Sequence, residues 1–161
     1  MKHNLLIFFI CIFISINLSG QTRTIIGRVI TEDLEILPQV RIQNSDTVLL
    51  ATTDIEGRFK IQVSSTIDEL IISWIGMEWA TIKFPINCDN LEIILMYDGT
   101  YDFMTAQKVD RLRMKRFKKL PETRQTAFNK GIFVSEKPCY SQDFVADKKR
   151  LKEIHRQRRA K

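Results

Sequence analysis

The chain has 161 residues, 44% of them hydrophobic and 27% charged, with only 6 glycines and 4 prolines. That length holds one ordinary domain with an appendage and excludes two full domains with separate large cores, and the composition excludes a disordered or low-complexity chain. The net charge of +6 is a sum of opposites: residues 21–104 carry 6 Lys and Arg against 13 Asp and Glu, and residues 105–161 carry 18 against 6. An acidic half followed by a strongly basic one points to a binding tail, or to an appendage that docks on its own acidic domain.

Met1-Lys2-His3-Asn4 is a short, weakly basic start, and Leu5 to Leu18 is apolar apart from Ser15 and Asn17. Residues 1–20 therefore read as a secretory signal peptide, cleaved after Ser19 or Gly20. The apolar run falls short of the roughly 20 residues that span a bilayer, so no stable transmembrane segment is predicted. Cys11 follows Phe9 and Ile10, where a lipobox has small residues, and reads as leader filler. Without the leader, Cys88 and Cys139 remain. In an oxidising compartment they allow one intramolecular disulfide between the end of the β-rich half and the basic half; the alternative is two unreactive thiols.

From Thr22 to Met96 apolar residues recur with a period near two, broken by turn residues about every ten positions, which predicts short strands. The first runs from Arg23 to Thr31, with Ile26 and Ile30 on one face. Pro38 opens a second at Val40-Arg41-Ile42, Thr47 to Thr53 is a third, and Arg58 to Val63 a fourth, with Phe59, Ile61 and Val63 facing one way. Leu70 to Ile75, Trp79 to Phe84 and Leu91 to Met96 complete seven. Strands with one buried face each must close two sheets over a common core, so an antiparallel seven-stranded β-sandwich is predicted over residues 21–98. Asp54-Ile55-Glu56-Gly57 reads as a hairpin turn, its Asp side chain accepting from the backbone N–H groups two and three residues on and its Gly taking a positive φ. A calcium ion at Asp54 and Glu56 is the sharper alternative, but it wants six or more oxygens and no third carboxylate stands nearby in sequence. Gly76 reads as a bulge or turn flanked by Trp74 and Trp79, which serve either packing or sugar stacking.

Ile26-Gly27-Arg28-Val29, Leu37-Pro38-Gln39-Val40-Arg41-Ile42, Thr53-Asp54-Ile55-Glu56-Gly57-Arg58-Phe59 and Leu70 to Met77 together resemble, in order and spacing, the carboxypeptidase regulatory-like domain. The resemblance covers about residues 23–97 and implies a transthyretin-like sandwich related in shape to the immunoglobulin fold. The family often has Gly after the proline, where this chain has Gln39. Such domains are accessory modules, found beside metallocarboxypeptidase domains, at the N-termini of energy-coupled outer-membrane transporters, or alone in exported proteins. The resemblance therefore implies no peptidase activity.

The residues themselves argue against catalysis. A zinc peptidase needs three protein ligands, usually two of them histidines, and after the leader only His155 remains, among Arg156, Arg158 and Arg159. A Ser-His-Asp or Cys-His arrangement would depend on the same residue. Phosphate-cradling glycine loops are absent. No catalytic residue, metal or cofactor is predicted, and the chain is expected not to be an enzyme.

After Gly99 the period changes. Ala106, Val109, Phe117 and Leu120 share one side of a helix from about Thr105 to Lys119, opposite Arg111, Lys115, Lys118 and Lys119, while Leu112 widens the apolar stripe and Arg113 and Arg116 intrude on it. Pro121 is predicted to end this helix, and a second runs from Glu122 to Lys130. Lys148 to Lys161 reads as a solvated helix or frayed tail. The expectation is an exported, non-enzymatic binding or structural module held in the periplasm, outer envelope or outside the cell. The basic extension of residues 99–161 would contact a protein or an anionic envelope component rather than nucleic acid. The alternatives are an accessory subunit of an exported carboxypeptidase or other hydrolase, and a small carbohydrate-binding module using Trp74 or Trp79.

Overall fold

The structure, a computed structural model, describes residues 21–147; the predicted leader with Cys11 and the tail from Lys148 with His155 lie outside the described residues. The chain is mainly β. It forms β1 (Thr22–Thr31), β2 (Arg41–Gln43), β3 (Leu49–Thr52), β4 (Arg58–Ser64), β5 (Glu69–Ser73), β6 (Ala80–Lys83) and β7 (Asn90–Leu95). Two helices follow, α1 (Ala106–Phe117) and α2 (Leu120–Asn129), then a two-residue strand β8 (Ser141–Gln142). Each predicted strand segment overlaps one of β1 to β7. The short β8 has no periodicity to announce it.

The strands form a three-stranded sheet, β4-β1-β7, and a five-stranded sheet, β3-β2-β5-β6-β8. Both contribute to one core: Ile25, Val29, Ile61 and Ile93 from the first meet Ile42, Leu70, Ile72 and Ile82 from the second. Alternation explains β4, whose Phe59, Ile61 and Val63 are buried while Lys60 and Gln62 are exposed. The expectation of antiparallel pairing throughout is corrected at one place, because β1 and β7 run parallel, with Ile26 opposite Asn90 and Thr31 opposite Leu95. These two strands are the ends of the β-rich half, and the chain between them supplies the long crossover a parallel pair requires.

Ile26 and Ile30 do share a face of β1, but it is not the main core face. Ile25 and Val29 point into the core, Ile26 is half exposed, and Ile30 joins a second apolar cluster with Ile94, Ala127 and Phe133. That cluster lies on the outer face of the β1-β7 pair, where the helical half covers it. β7 is therefore buried on both faces from Leu91 to Leu95. Its stretch Leu91-Glu92-Ile93-Ile94-Leu95 is correspondingly a near-continuous apolar run, broken only by Glu92, rather than an alternating one.

Two glycines are dictated by space. A Cβ on Gly27 would lie 2.3 Å from the carbonyl oxygen of Leu91 and 2.4 Å from the Phe59 ring, so β1 and β7 approach closely only because that atom is missing. Gly57 has φ +70° and a Cβ there would lie 2.7 Å from the Val29 oxygen. Its turn is built by Asp54, whose Oδ1 accepts from the N–H groups of Glu56 at 2.9 Å and Arg58 at 2.8 Å. The second donor is thus four residues on, one farther than the turn signature suggests.

Candidate interaction surface

The basic half meets the acidic half through three arginines. Thr105 caps α1 by accepting from the Lys108 N–H, and the helix axis that follows turns Val109 and Arg113 inward. Arg113 grips Glu78 with both arms, Nε to Oε1 at 2.8 Å and Nη2 to Oε2 at 2.7 Å. Its Nη1 lies 3.4 Å from Asp110 and 3.3 Å from Asp147, and its guanidinium sits 5.2 Å from the centre of the Phe144 ring. One turn along, Arg116 binds both oxygens of Glu32 and donates from Nη2 to the Tyr97 oxygen at 2.9 Å and from Nη1 to the Tyr101 hydroxyl at 3.0 Å. Burial alone would raise the Glu32 carboxyl, but the hydrogen bonds from Arg116 and the Tyr97 N–H, with the arginine's charge, outweigh it and hold the carboxyl below its ordinary range. Arg113 is held above its usual value, first by its hydrogen bonds to Glu78 and against the pull of burial.

The third arginine comes from α2. Pro121 stands in the first turn of this helix, where a missing N–H costs nothing, so it starts α2 as well as bounding α1. Arg124, 4% exposed, reaches the edge of β7 and donates from Nη2 to the Glu92 carbonyl and to the Tyr140 hydroxyl. Tyr140 donates to the same carbonyl at 2.7 Å, and burial pushes its hydroxyl pKa up. The Glu92 carboxylate, itself 4% exposed, accepts from the N–H groups of Val134 and Ser135 and faces Arg124 Nη1 at 3.6 Å. One carbonyl of β7, that of Glu92, is thereby occupied by two side-chain donors. On the other sheet, β8 covers part of the edge of β6, with Gln142 opposite Ile82 and Ser141 opposite Lys83.

Immediately before β8, the structure joins Cys139 to Cys88, with Cα atoms 5.6 Å apart across a sequence separation of 51. The bond ties the loop between β6 and β7 to the segment that follows α2.

Of the side chains singled out in the sequence, Arg111, Lys115, Lys118 and Lys119 are all exposed. None has an ion-pair partner among the described residues. Leu112, expected to widen the apolar stripe, is instead 38% exposed, because the helix is rolled so that Arg113 and Arg116 reach the carboxylates. Gly76 has φ +80° in the turn between β5 and β6, and its oxygen accepts from the Asp98 N–H at 2.9 Å. Trp74 packs against the core whereas Trp79 is 72% exposed, and no ring contact joins them among the described residues.

Between the end of α1, the start of α2 and residues 136–142 lies a cleft of about 600 Å³. Phe117, Leu120, Pro121 and Pro138 form its apolar walls, with Ile94, Arg124 and Tyr140 beneath. Among the described residues no three His, Cys, Asp or Glu side chains cluster as a metal ion would need, and no helix is long and apolar enough to cross a membrane.

The chain matches no family model and no curated protein. The arrangement itself therefore carries the functional reading: a β-rich body on which half of a basic helix is spent, with the other half facing water.

Proposed function

We propose that this chain is an exported, non-enzymatic binding module whose β-rich body is a transthyretin-like sandwich of the carboxypeptidase regulatory-like type. Its working surface is the solvent face of α1. The observation that carries the reading is the division of charges along α1 and the turn that follows it: Arg113 and Arg116 pair with Glu78 and Glu32, while Arg111 and Lys115 on the helix and Lys118 and Lys119 in the turn are exposed. A cationic face on a helix clamped to a rigid body attracts an anionic partner, a protein or a component of the cell envelope, with its geometry already set. Export is supported by the apolar leader and by the Cys88–Cys139 bond, which persists in oxidising compartments.

The test is capture of binding partners from envelope extract by the mature chain and by an Arg111→Glu, Lys115→Glu, Lys119→Glu variant, at low and high salt. Partners retained at low salt, released at high salt and lost by the variant are expected. Identical partners for both chains would locate binding elsewhere and sink the proposal.

A further inference from the structure

We propose a second site, which shares only Lys118 with the cationic surface described above: the cleft between α1, α2 and residues 136–142 takes a single-chain anionic amphiphile, of the kind a fatty-acid carboxylate represents. At about 600 Å³ it falls in the size range of small-molecule sites, and its walls of Phe117, Leu120, Pro121 and Pro138 are apolar. The polar groups beneath them are engaged: Arg124 and Tyr140 both donate to the Glu92 carbonyl, and Arg124 faces the Glu92 carboxylate. The floor is thus a neutralised pair, poorly suited to a sugar, which brings many hydroxyls that each need a partner.

Charge enters only at the rim. Lys118 stands on the α1 side and Lys137 on the opposite side, both exposed and without an ion-pair partner among the described residues. Glu136 is the one carboxylate lining the cleft, leaving the lysines in excess. An apolar trough with two cations at its lip matches an apolar chain ending in one anionic head. The chain would lie against Phe117, Leu120 and Pro138, and the head would sit between Lys118 and Lys137.

The probe is decanoate, kept below its micellar concentration, titrated into the full mature chain and followed by calorimetry and by backbone amide shifts. Saturable binding is expected, with shifts at Lys118, Gln125 and Gln142, which line the cleft from both sides. Lys118→Glu with Lys137→Glu should weaken decanoate about tenfold at low salt, and Glu136→Gln should tighten it about twofold. 1-Decanol, lacking the charge, should bind more weakly and respond to neither change. The amide spectrum of each variant reports whether it is folded. Equal affinity for decanoate and decanol, shifts confined to other surfaces, or a response only to vesicles of anionic phospholipid would each overturn the proposal. The variants leave Arg111, Lys115 and Lys119 untouched, so failure here is distinct from failure of the α1 face as a partner surface.

Discussion

Gln39 shows how a single hydrogen bond can hold a non-glycine residue in the left-handed region. The residue follows Pro38 in the turn entering β2, is exposed, and has φ 62°, the left-handed region that glycine adopts without cost. Its N–H donates to the Thr53 oxygen at 3.0 Å, which fixes the turn in that conformation. Gln39→Gly is therefore expected to leave stability unchanged or raise it by up to about 1 kcal/mol, relief of the left-handed strain being set against the greater freedom of glycine in the unfolded chain. Gly57→Ala should instead cost about 1–3 kcal/mol, since the turn demands positive φ and the Val29 oxygen occupies the space. Urea denaturation of both variants checks the pair, and a loss of stability in Gln39→Gly comparable to that in Gly57→Ala would contradict the account. The Gly57 turn was legible in the sequence because Asp-x-x-Gly carries its own geometry. The left-handed backbone of Gln39 was not legible, because nothing in its own side chain marks that conformation and it is set by a bond to Thr53.

At the scale of elements, α1 is held by charge as much as by apolar contact. Val109 is its one buried hydrophobic side chain, while Arg113 is buried and Arg116 half-buried against carboxylates of the β-rich body. Such pairs are costly to desolvate and are recovered only through good geometry, which the two-armed contacts supply. The consequence is a dependence on pH. Glu32 has a folded-state pKa below its ordinary value near 4.5, so its pairing with Arg116 contributes fully above that value and is lost as the pH falls through the lowered one. The stability gap between the natural chain and Glu32→Gln should narrow between pH 6 and pH 3, measured by denaturant unfolding at each pH. A gap constant across that range would mean that the carboxylate's charge does not hold the helix. The helix itself was legible from its period and its start from Thr105, but its end at Phe117, two residues before the expected one, and its orientation were not. A helical wheel ranks Arg113 as an intruder on an apolar stripe. What it cannot contain is a carboxylate supplied from 35 residues earlier in the chain.

For the whole molecule, the ends of the β-rich half and of the helical half are stapled together. The bond between Cys88 and Cys139 closes a loop of about 51 residues containing β7 and both helices. By loop-closure entropy its removal should cost about 2–4 kcal/mol, read as a lower unfolding midpoint in dithiothreitol with no change in the mainly β far-ultraviolet spectrum below the transition. An unchanged midpoint would show that packing of Tyr140 and Phe144 alone fixes the segment. The sequence by itself determined that the main run of strands precedes the helices, where turns such as that at Gly57 fall, and that an acidic body precedes a basic appendage, because these follow from periods and charges within a few residues of one another. Only the tertiary structure decided that β1 and β7 run parallel, that Arg124 and Tyr140 of the appendage meet at the Glu92 carbonyl of β7, and which cations of the appendage are spent and which remain exposed. Those outcomes depend on the distances between groups far apart in the chain, and an ion pair or a sheet edge exists only once both of its halves have been brought together.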